Sequence, residues 1–219
     1  MARYLAQRQE VADMSRYLAD HGYFSGTGGN IGIRVADDLM AVTPSATDYY
    51  AIEAQDVVLL RLDTLEVVEG DRTPTVEKGL HARMLRMHRS RRASIHTHQP
   101  IASAVALLHE VLPWPPGSDL TALGSHVALV PYRPSGTGML ARAFEKALRP
   151  DIYAYLLASH GVICAGEDLK EALGLIRKID AAAAAFLRGR IAKHASLDRQ
   201  IRTFVTSVLE QADNTGARQ

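Results

Sequence analysis

Hydrophobic positions along this chain follow two different periods, and the alternation between them predicts its secondary structure. Apolar residues at helical spacing predict helices at 2–21, just after Glu77, and at 100–108, 139–148, 168–194 and 197–210. Short apolar or alternating runs predict strands at 31–35, 39–43, 57–62, 65–68, 94–98, 127–130, 152–158 and 162–165. Because several neighbouring strands are separated only by tight turns, the pattern favours a single α/β domain (α+β-like) with a mixed or mostly antiparallel sheet flanked by helices.

Composition narrows the classes of protein that fit this pattern. The chain has 219 residues, of which 47% are hydrophobic and 22% charged, and its net charge is +1. That length suits one well-cored domain, expected at 1–211 with a disordered tail at 212–219. A near-neutral chain without a long apolar run predicts no nucleic-acid partner and no membrane association. The single cysteine, Cys164, excludes an internal disulfide; without a signal-peptide pattern, it predicts a cytoplasmic protein.

Two of the predicted strands lead into histidines. The first ends in His96-Thr97-His98. The run at 152–158 is followed by Ser159-His160-Gly161, after which the run at 162–165 is expected to continue the same strand. Side chains two residues apart on a strand share a face, so His96 and His98 can bind one divalent ion. A third imidazole from His160 would give three protein ligands and leave a coordination position for substrate. Since His-x-His also arises by chance, spacing alone leaves a metal site and a structural role both open.

Polar segments between these elements hold further candidate residues. The loop ending in Gly28-Gly29-Asn30 follows a helix and opens a strand, which is the wrong order for a dinucleotide fingerprint. Its backbone amides form either an anion-binding nest or a plain tight turn. The turn Thr43-Pro44-Ser45 is either a second wall of that anion site or an ordinary proline turn. Glu77 either suits the dipole of the helix that follows it or presents a carboxylate to the metal site.

Taken together, these motifs resemble the class II aldolase/adducin family. The motifs are Gly28-Gly29-Asn30, Thr43-Pro44-Ser45, Pro74-Thr75-Val76-Glu77, His96-Thr97-His98 and Ser159-His160-Gly161, and the resemblance runs from about residue 5 to residue 191. It implies a largely antiparallel sheet flanked by helices and a homotetramer with sites near the subunit interfaces. It also implies zinc, manganese or another divalent cation held by His96, His98 and His160.

The resemblance further implies roles for the polar segments. Glu77 matches the acid/base carboxylate of the family's aldolases, which belong to carbohydrate metabolism. Positions that hold a substrate phosphate match Gly28, Gly29, Asn30, Thr43, Ser45 and Thr75. The implied activity is that of a metal-dependent lyase acting on a small sugar-phosphate-like or keto/hydroxy-acid substrate. It would cleave a carbon–carbon bond by a retro-aldol reaction through a metal-stabilised enediolate.

Three positions depart from the family pattern. Val76 stands where the family has a serine that could hold phosphate, and Ala46 stands where a turn glycine is usual. The family's proton-donating tyrosine matches a position near Gly117, where this chain has no tyrosine. These departures favour a substrate different from the family's usual sugar phosphates and make a metal-dependent decarboxylase the alternative. A ketose-phosphate 4-epimerase, a dehydratase and a non-catalytic adducin-like interaction module are further alternatives. The epimerases carry aspartate in place of Glu77, and the interaction modules lack the histidine set.

Overall fold

The computed structural model describes residues 3–116 and 124–193, together with residues 203, 206, 207 and 210. Its helices are α1 (Leu5–Asp20), α2 (Lys78–Met87), α3 (Pro100–Leu107), α4 (Gly138–Ala147) and α5 (Leu169–Lys193). Its strands are β1 (Asn30–Ala36), β2 (Leu39–Val42), β3 (Val58–Arg61), β4 (Val67–Glu69), β5 (Ala93–Thr97), β6 (Leu112–Pro113), β7 (His126–Val130), β8 (Ala154–Leu157) and β9 (Gly161–Gly166). Apart from the unpredicted β6, these elements confirm the predicted ones to within a few residues. The predictions for 197–210 and 212–219 lie almost wholly outside the described residues.

The described strands form one sheet in the order β4-β3-β2-β1-β5-β9-β8-β7-β6. Neighbours are antiparallel except β7 and β8, which are parallel, so the predicted mostly antiparallel sheet is confirmed. The segments predicted at 152–158 and 162–165 do not form one continued strand. They fold back on each other as the β8–β9 hairpin, with Ser159 in the turn at a φ of +54°.

Helices cover both faces of the sheet, which explains why its strands read as nearly continuous apolar runs. On one face, Ile31 of β1 and Ile95 of β5 belong to a buried cluster with residues of α1, α3 and α5. On the other face, residues of β8 and β9 pack against α2 and α4. Alternation along β1 and β5 therefore turns Gly32 and Ser94 toward α2, against the side chain of His81. Among the described residues, none of the helices has the length and apolarity that a membrane span requires.

One buried arginine ties the entry of β5 to helix α5. Arg91 is only 8% exposed, and its Nη1 donates to both carboxylate oxygens of Glu171 at 2.8 Å. Its guanidinium also lies 4.3 Å from the ring centroid of Tyr153. Because β5 carries two of the candidate metal ligands, this pair helps to hold the strand that positions the site.

We expect Arg91→Ala to lower the free energy of unfolding by about 1–2 kcal/mol, because it removes a partly buried ion pair and the packing of the arginine stem. Arg89→Ala is the matched control, since Arg89 is exposed on the same loop and should change stability by less than about 0.5 kcal/mol. Urea denaturation of the three proteins measures the difference. Equal midpoints for both variants would show that the Arg91 pair contributes nothing.

Candidate active site

Three imidazole rings meet at one end of the central strands. His96 lies on β5, His98 follows the end of that strand, and His160 lies in the turn between β8 and β9. The Nε2 atoms of His96 and His98 are 2.8 Å apart, and those of His96 and His160 are 3.3 Å apart. The ring centroids are separated by 4.7–4.9 Å. The structure thus brings together all three histidines that the sequence suggested.

Two glycines leave the space in which these rings meet. A Cβ on Gly161 would lie 2.4 Å from the carbonyl oxygen of Thr97 and 2.7 Å from His98 Cδ2. A Cβ on Gly28 would lie 2.6 Å from His98 Nδ1. Any larger residue at either position would have to displace the ring or its backbone. The space that the rings occupy therefore gives a steric reason for glycine at positions 28 and 161.

Electrostatics makes this cluster suited to a cation. Burial lowers the pKa of His96, His98 and His160, so all three rings are neutral at pH 7. His96 Nδ1 lies 2.8 Å from the carbonyl oxygen of Val162 and donates to it, which leaves the Nε2 lone pair facing the other rings. That lone pair can accept a hydrogen from a neighbouring ring or bind a cation. The 3.3 Å separation is roughly that of two nitrogens on a tetrahedral ion with bonds of 2.0–2.1 Å.

Glu77 lies beside the three rings rather than acting as a helix cap. It precedes α2 and its side chain makes no capping hydrogen bond. One carboxylate oxygen is 3.2 Å from His96 Nε2, and the other is 3.3 Å from His160 Nε2. Burial disfavours the ionised form of Glu77, but neighbouring His96, the Asn30 amide, His160 and the Ser135 hydroxyl outweigh it and lower the pKa of the carboxyl. An ionised carboxylate thus adjoins the candidate metal ligands.

The two hydroxyl-rich turns pack against each other next to Glu77. Thr75 N–H donates to the carbonyl oxygen of Thr43 at 3.0 Å, and Ser45 N–H donates to that of Thr73 at 2.8 Å. Thr75 Oγ1 accepts a bond from Glu77 N–H, and Thr43 Oγ1 accepts one from Ile31 N–H. Each hydroxyl keeps its own hydrogen to donate. Phosphate binding by Thr43, Ser45 and Thr75 stays a prediction, now with the three residues placed side by side.

The glycine-rich loop forms a tight turn. Gly28 N–H donates to the Ser25 carbonyl oxygen at 2.8 Å, and Gly29 has a φ of +103° beside the ring of Phe24. The amide of Gly28 is therefore used within the turn, while Asn30 turns its own amide to Glu77 at 2.8 Å. Anion binding by Gly28, Gly29 and Asn30 stays a prediction.

The positions that depart from the family pattern differ in their consequences. Ala46 has a φ of +49°, so the turn keeps the left-handed backbone that glycine would favour, without the glycine. Val76 is 61% exposed and packs beside Gly136, in the loop that holds Ser135. Gly117 lies outside the described residues.

Sequence reasoning missed two residues of this site. Ser135 Oγ donates to Glu77 Oε1 at 3.1 Å from a loop distant in sequence, and nothing in the local pattern marks it. His81 lies 2.6 Å from Asn30 Oδ1 through its Nε2. Its position one helical turn after Glu77 could have indicated that it lies near Glu77, because residues four apart share a helix face.

Comparison with known proteins identifies the family of the chain. Residues 9–187 match the family described as Class II Aldolase and Adducin N-terminal domain. The chain belongs to the class II aldolase/adducin family. A 5-deoxy-D-ribulose 1-phosphate aldolase of Bacillus thuringiensis serovar kurstaki is 37% identical over 177 residues, which cover 80% of this chain and 81% of the relative. A solved structure of L-fuculose 1-phosphate aldolase superposes with a TM-score of 0.80 at 27% identity, covering 96% of this chain and 98% of that one.

Other class II aldolase/adducin relatives carry several activities in their names. A 5-methylthioribulose-1-phosphate/5-deoxyribulose-1-phosphate aldolase of Rhodospirillum rubrum is 29% identical over 84% of this chain and 81% of its own length. A 3-oxo-tetronate 4-phosphate decarboxylase of Haemophilus influenzae is 25% identical over 83% of this chain and 87% of its own length. Each of these relatives is named as a lyase, and the named substrate differs from one to the next.

We expect His96→Ala to abolish metal binding, because it removes the central one of the three nitrogens. After loading with zinc or manganese and desalting, elemental analysis should find about one ion per chain in the wild type and close to none in the variant. His126→Gln is the matched control, since its ring contacts only the neighbouring Ser125 hydroxyl among the described contacts and it should keep the ion. Full metal content in His96→Ala would show that His96 is not a metal ligand.

Proposed function

We propose that this protein is a divalent-metal-dependent aldolase that cleaves a short ketose 1-phosphate of the 5-deoxyribulose type. The observation that carries the proposal is the approach of Glu77 to within 3.2–3.3 Å of two of the three converging imidazole nitrogens. Three neutral ligands and an adjacent ionised carboxylate are what a Lewis-acid reaction with proton transfer requires. The 37% identity to a 5-deoxy-D-ribulose 1-phosphate aldolase supports the substrate class.

In a retro-aldol cleavage, the histidines and Glu77 would have different roles. His96, His98 and His160 would hold zinc or manganese, which supplies Lewis-acid stabilisation of the negative charge on the substrate oxygens of the enediolate. The C4 hydroxyl loses its proton, the C3–C4 bond breaks to release an aldehyde, and C3 of the remaining fragment then gains a proton. Glu77 is the group that we assign to carry this proton, because it is an ionised carboxylate beside the three imidazoles.

The phosphate of such a substrate fits the paired turns next to Glu77. Thr75 and Thr43 are joined through their backbones, and their hydroxyls, with that of Ser45, can donate to an anion. Val76 cannot donate, so phosphate binding here would depend on fewer side-chain hydroxyls than in the usual family pattern. We assign the phosphate to these turns and to the adjacent Gly28-Gly29-Asn30 loop.

We also propose a homotetramer with the active site close to a subunit interface. Leu107 and Val111, at the end of α3, are 65% and 50% exposed. Between them, His109 Nε2 lies 2.7 Å from Ser159 Oγ, next to the metal-ligand candidate His160. An exposed apolar surface so close to the site is suited to contact with a second subunit.

A metal-dependent decarboxylase is the second candidate. The observation that favours it is the decarboxylase among the relatives, named for a 3-oxo-tetronate 4-phosphate, combined with Val76 in place of a phosphate-binding serine. Loss of carbon dioxide also leaves a carbanion that a metal ion stabilises, so the same cage would serve.

Glu77→Gln should retain the metal and lose turnover by a factor of about 10² or more, because the amide cannot accept and return a proton. The substitution keeps the size of the side chain, so the fold should not change. Glu145→Gln is the control, since Glu145 is exposed and pairs only with Arg83 among the described contacts. Steady-state kinetics and metal analysis test both variants, and wild-type turnover in Glu77→Gln would remove this residue from the mechanism.

Product analysis separates the candidate reactions. With 5-deoxyribulose 1-phosphate, we expect the metal-loaded protein to release dihydroxyacetone phosphate and acetaldehyde, the two fragments of C3–C4 cleavage. Fuculose 1-phosphate and a phosphorylated 3-oxo acid complete the panel. Carbon dioxide from the oxo acid, with no aldehyde from either ketose phosphate, would replace the aldolase by the decarboxylase. No product and no bound metal would favour the interaction module.

A further inference from the structure

A chain of hydrogen bonds leads from the Glu77 carboxylate into the protein interior. Asn30 Nδ2 donates to Glu77 Oε2 at 2.8 Å, and Oδ1 of the same amide lies 2.6 Å from His81 Nε2. The other ring nitrogen of His81 lies 2.9 Å from Ser94 Oγ. His81 and Ser94 are fully buried, and Asn30 is 7% exposed. These groups therefore interact with one another and not with bulk water.

The direction of each bond in this chain follows from the chemistry of its ends. An ionised carboxylate only accepts hydrogen bonds, so the Asn30 amide must turn its NH₂ group to Glu77 and its oxygen to His81. Burial lowers the pKa of His81 to about 3, so the ring is neutral and has a single N–H. That N–H must be on Nε2, where it donates to Asn30 Oδ1, and Nδ1 then accepts from the Ser94 hydroxyl. Every donor in the chain thus points toward Glu77.

The sheet leaves a dedicated space for the His81 ring. A Cβ on Gly32 would lie 2.7 Å from both Cβ and Cγ of His81, so the ring can lie over β1 only because position 32 has no side chain. Ser94 pairs with Gly32 in the β1–β5 register and therefore lies next to the same ring. For stability alone, an apolar side chain would serve a fully buried helix position better than a histidine that needs two partners. This cost suggests a role beyond packing.

We propose that His81 is a positioning residue that acts through Asn30 to fix the orientation of the Glu77 carboxylate. By donating to Asn30 Oδ1, it fixes the position of the amide, so that the NH₂ group of Asn30 holds Glu77 Oε2 in one place. The inference rests on the proposed function in so far as it assigns a catalytic purpose to that orientation. It also gives Asn30 a task other than phosphate binding, namely to transmit the constraint from His81 to the carboxylate.

The kinetic test compares His81→Leu, which removes the donor, with His81→Gln, whose amide can donate from nearly the same place. We expect His81→Leu to keep the metal and to lose about 10- to 100-fold in kcat with KM close to that of the wild type. His81→Gln should recover most of the lost kcat, which a purely packing role would not explain. His88→Leu is the matched control, because His88 is also buried near the end of the same helix but contacts Tyr153 instead of Asn30.

A double-mutant cycle tests the route through Asn30. In an Asn30→Ala background, His81→Leu should cause no further loss of kcat, because residues that act as one unit are not additive. Losses that multiply would overturn the proposal. So would wild-type kcat in His81→Leu, or equal losses in His81→Leu and His81→Gln.

Crystal structures of the wild type and His81→Leu give a readout that does not depend on activity. We expect the Asn30 side chain to lose its single position and the Glu77 carboxylate to shift or split between conformers in the variant. An unmoved carboxylate would overturn the positioning role. If the wild type cleaves no member of the substrate panel, the proposed function fails, and this structural comparison alone then decides the inference.

If His81→Leu does not fold, Ser94→Ala replaces it in both tests. Loss of the Ser94 hydroxyl removes the hydrogen bond to His81 Nδ1, which leaves the ring less firmly held against Asn30, so kcat should fall by a smaller factor at unchanged KM, with the carboxylate again displaced. A folded Ser94→Ala protein with wild-type kcat and an unmoved Glu77 would overturn the proposal.

Discussion

The site depends on one electrostatic constraint, which is that three neutral imidazole nitrogens and an ionised carboxylate all face the same small volume. These groups lie 2.8–3.3 Å from one another, and a cation among them would be attracted by the carboxylate and by every nitrogen that presents a lone pair. The surrounding structure keeps the groups together. Glycines at 28 and 161 leave room for the rings, and the β8–β9 hairpin turns His160 toward β5.

Sheet order explains how residues from distant segments reach this point. Strands β1, β5 and β9 are neighbours in the centre of the sheet, and Asn30 pairs directly with His96 in the β1–β5 register. Helix α2 begins over the same end of the sheet, so Glu77 reaches the site from the helix layer and the strand residues reach it from the sheet. A slip of β1 by one residue against β5 would turn Asn30 to the opposite face of the sheet, away from His96. The same packing that stabilises the core therefore determines the site.

Relatives that are named for different reactions each match at least 80% of this chain. Aldol cleavage, decarboxylation and dehydration all place negative charge next to a carbonyl carbon, and one metal cage can stabilise it in each case. We infer that the groups around the three histidines then decide the reaction, because they would place the proton and hold the substrate. In this chain the residues next to the histidines include Glu77 and its neighbours Asn30 and Ser135.

Local pattern was enough to predict all the described elements except β6, because helices and strands that are buried on a fixed face have a regular hydrophobic period. It also placed His96 and His98 on one face, since side chains two residues apart on a strand point the same way, and offered His160 as a third ligand. Pattern did not separate a Glu77 that suits the helix dipole from one that faces the candidate metal ligands, because both interpretations need the same residue at the same helix position. It assigned no role in the site to His81 or to Ser135.

Tertiary structure decided these questions because the deciding contacts join segments 47–58 residues apart in sequence. The amide of Asn30 can be assigned to Glu77 only once β1 and α2 are placed side by side. The reason for glycine at position 32 can be seen only in the fold, where the ring of His81 lies over it. The sequence by itself thus determined which groups were available for metal chemistry, and the packing of α2 on the sheet decided how their hydrogen bonds are directed.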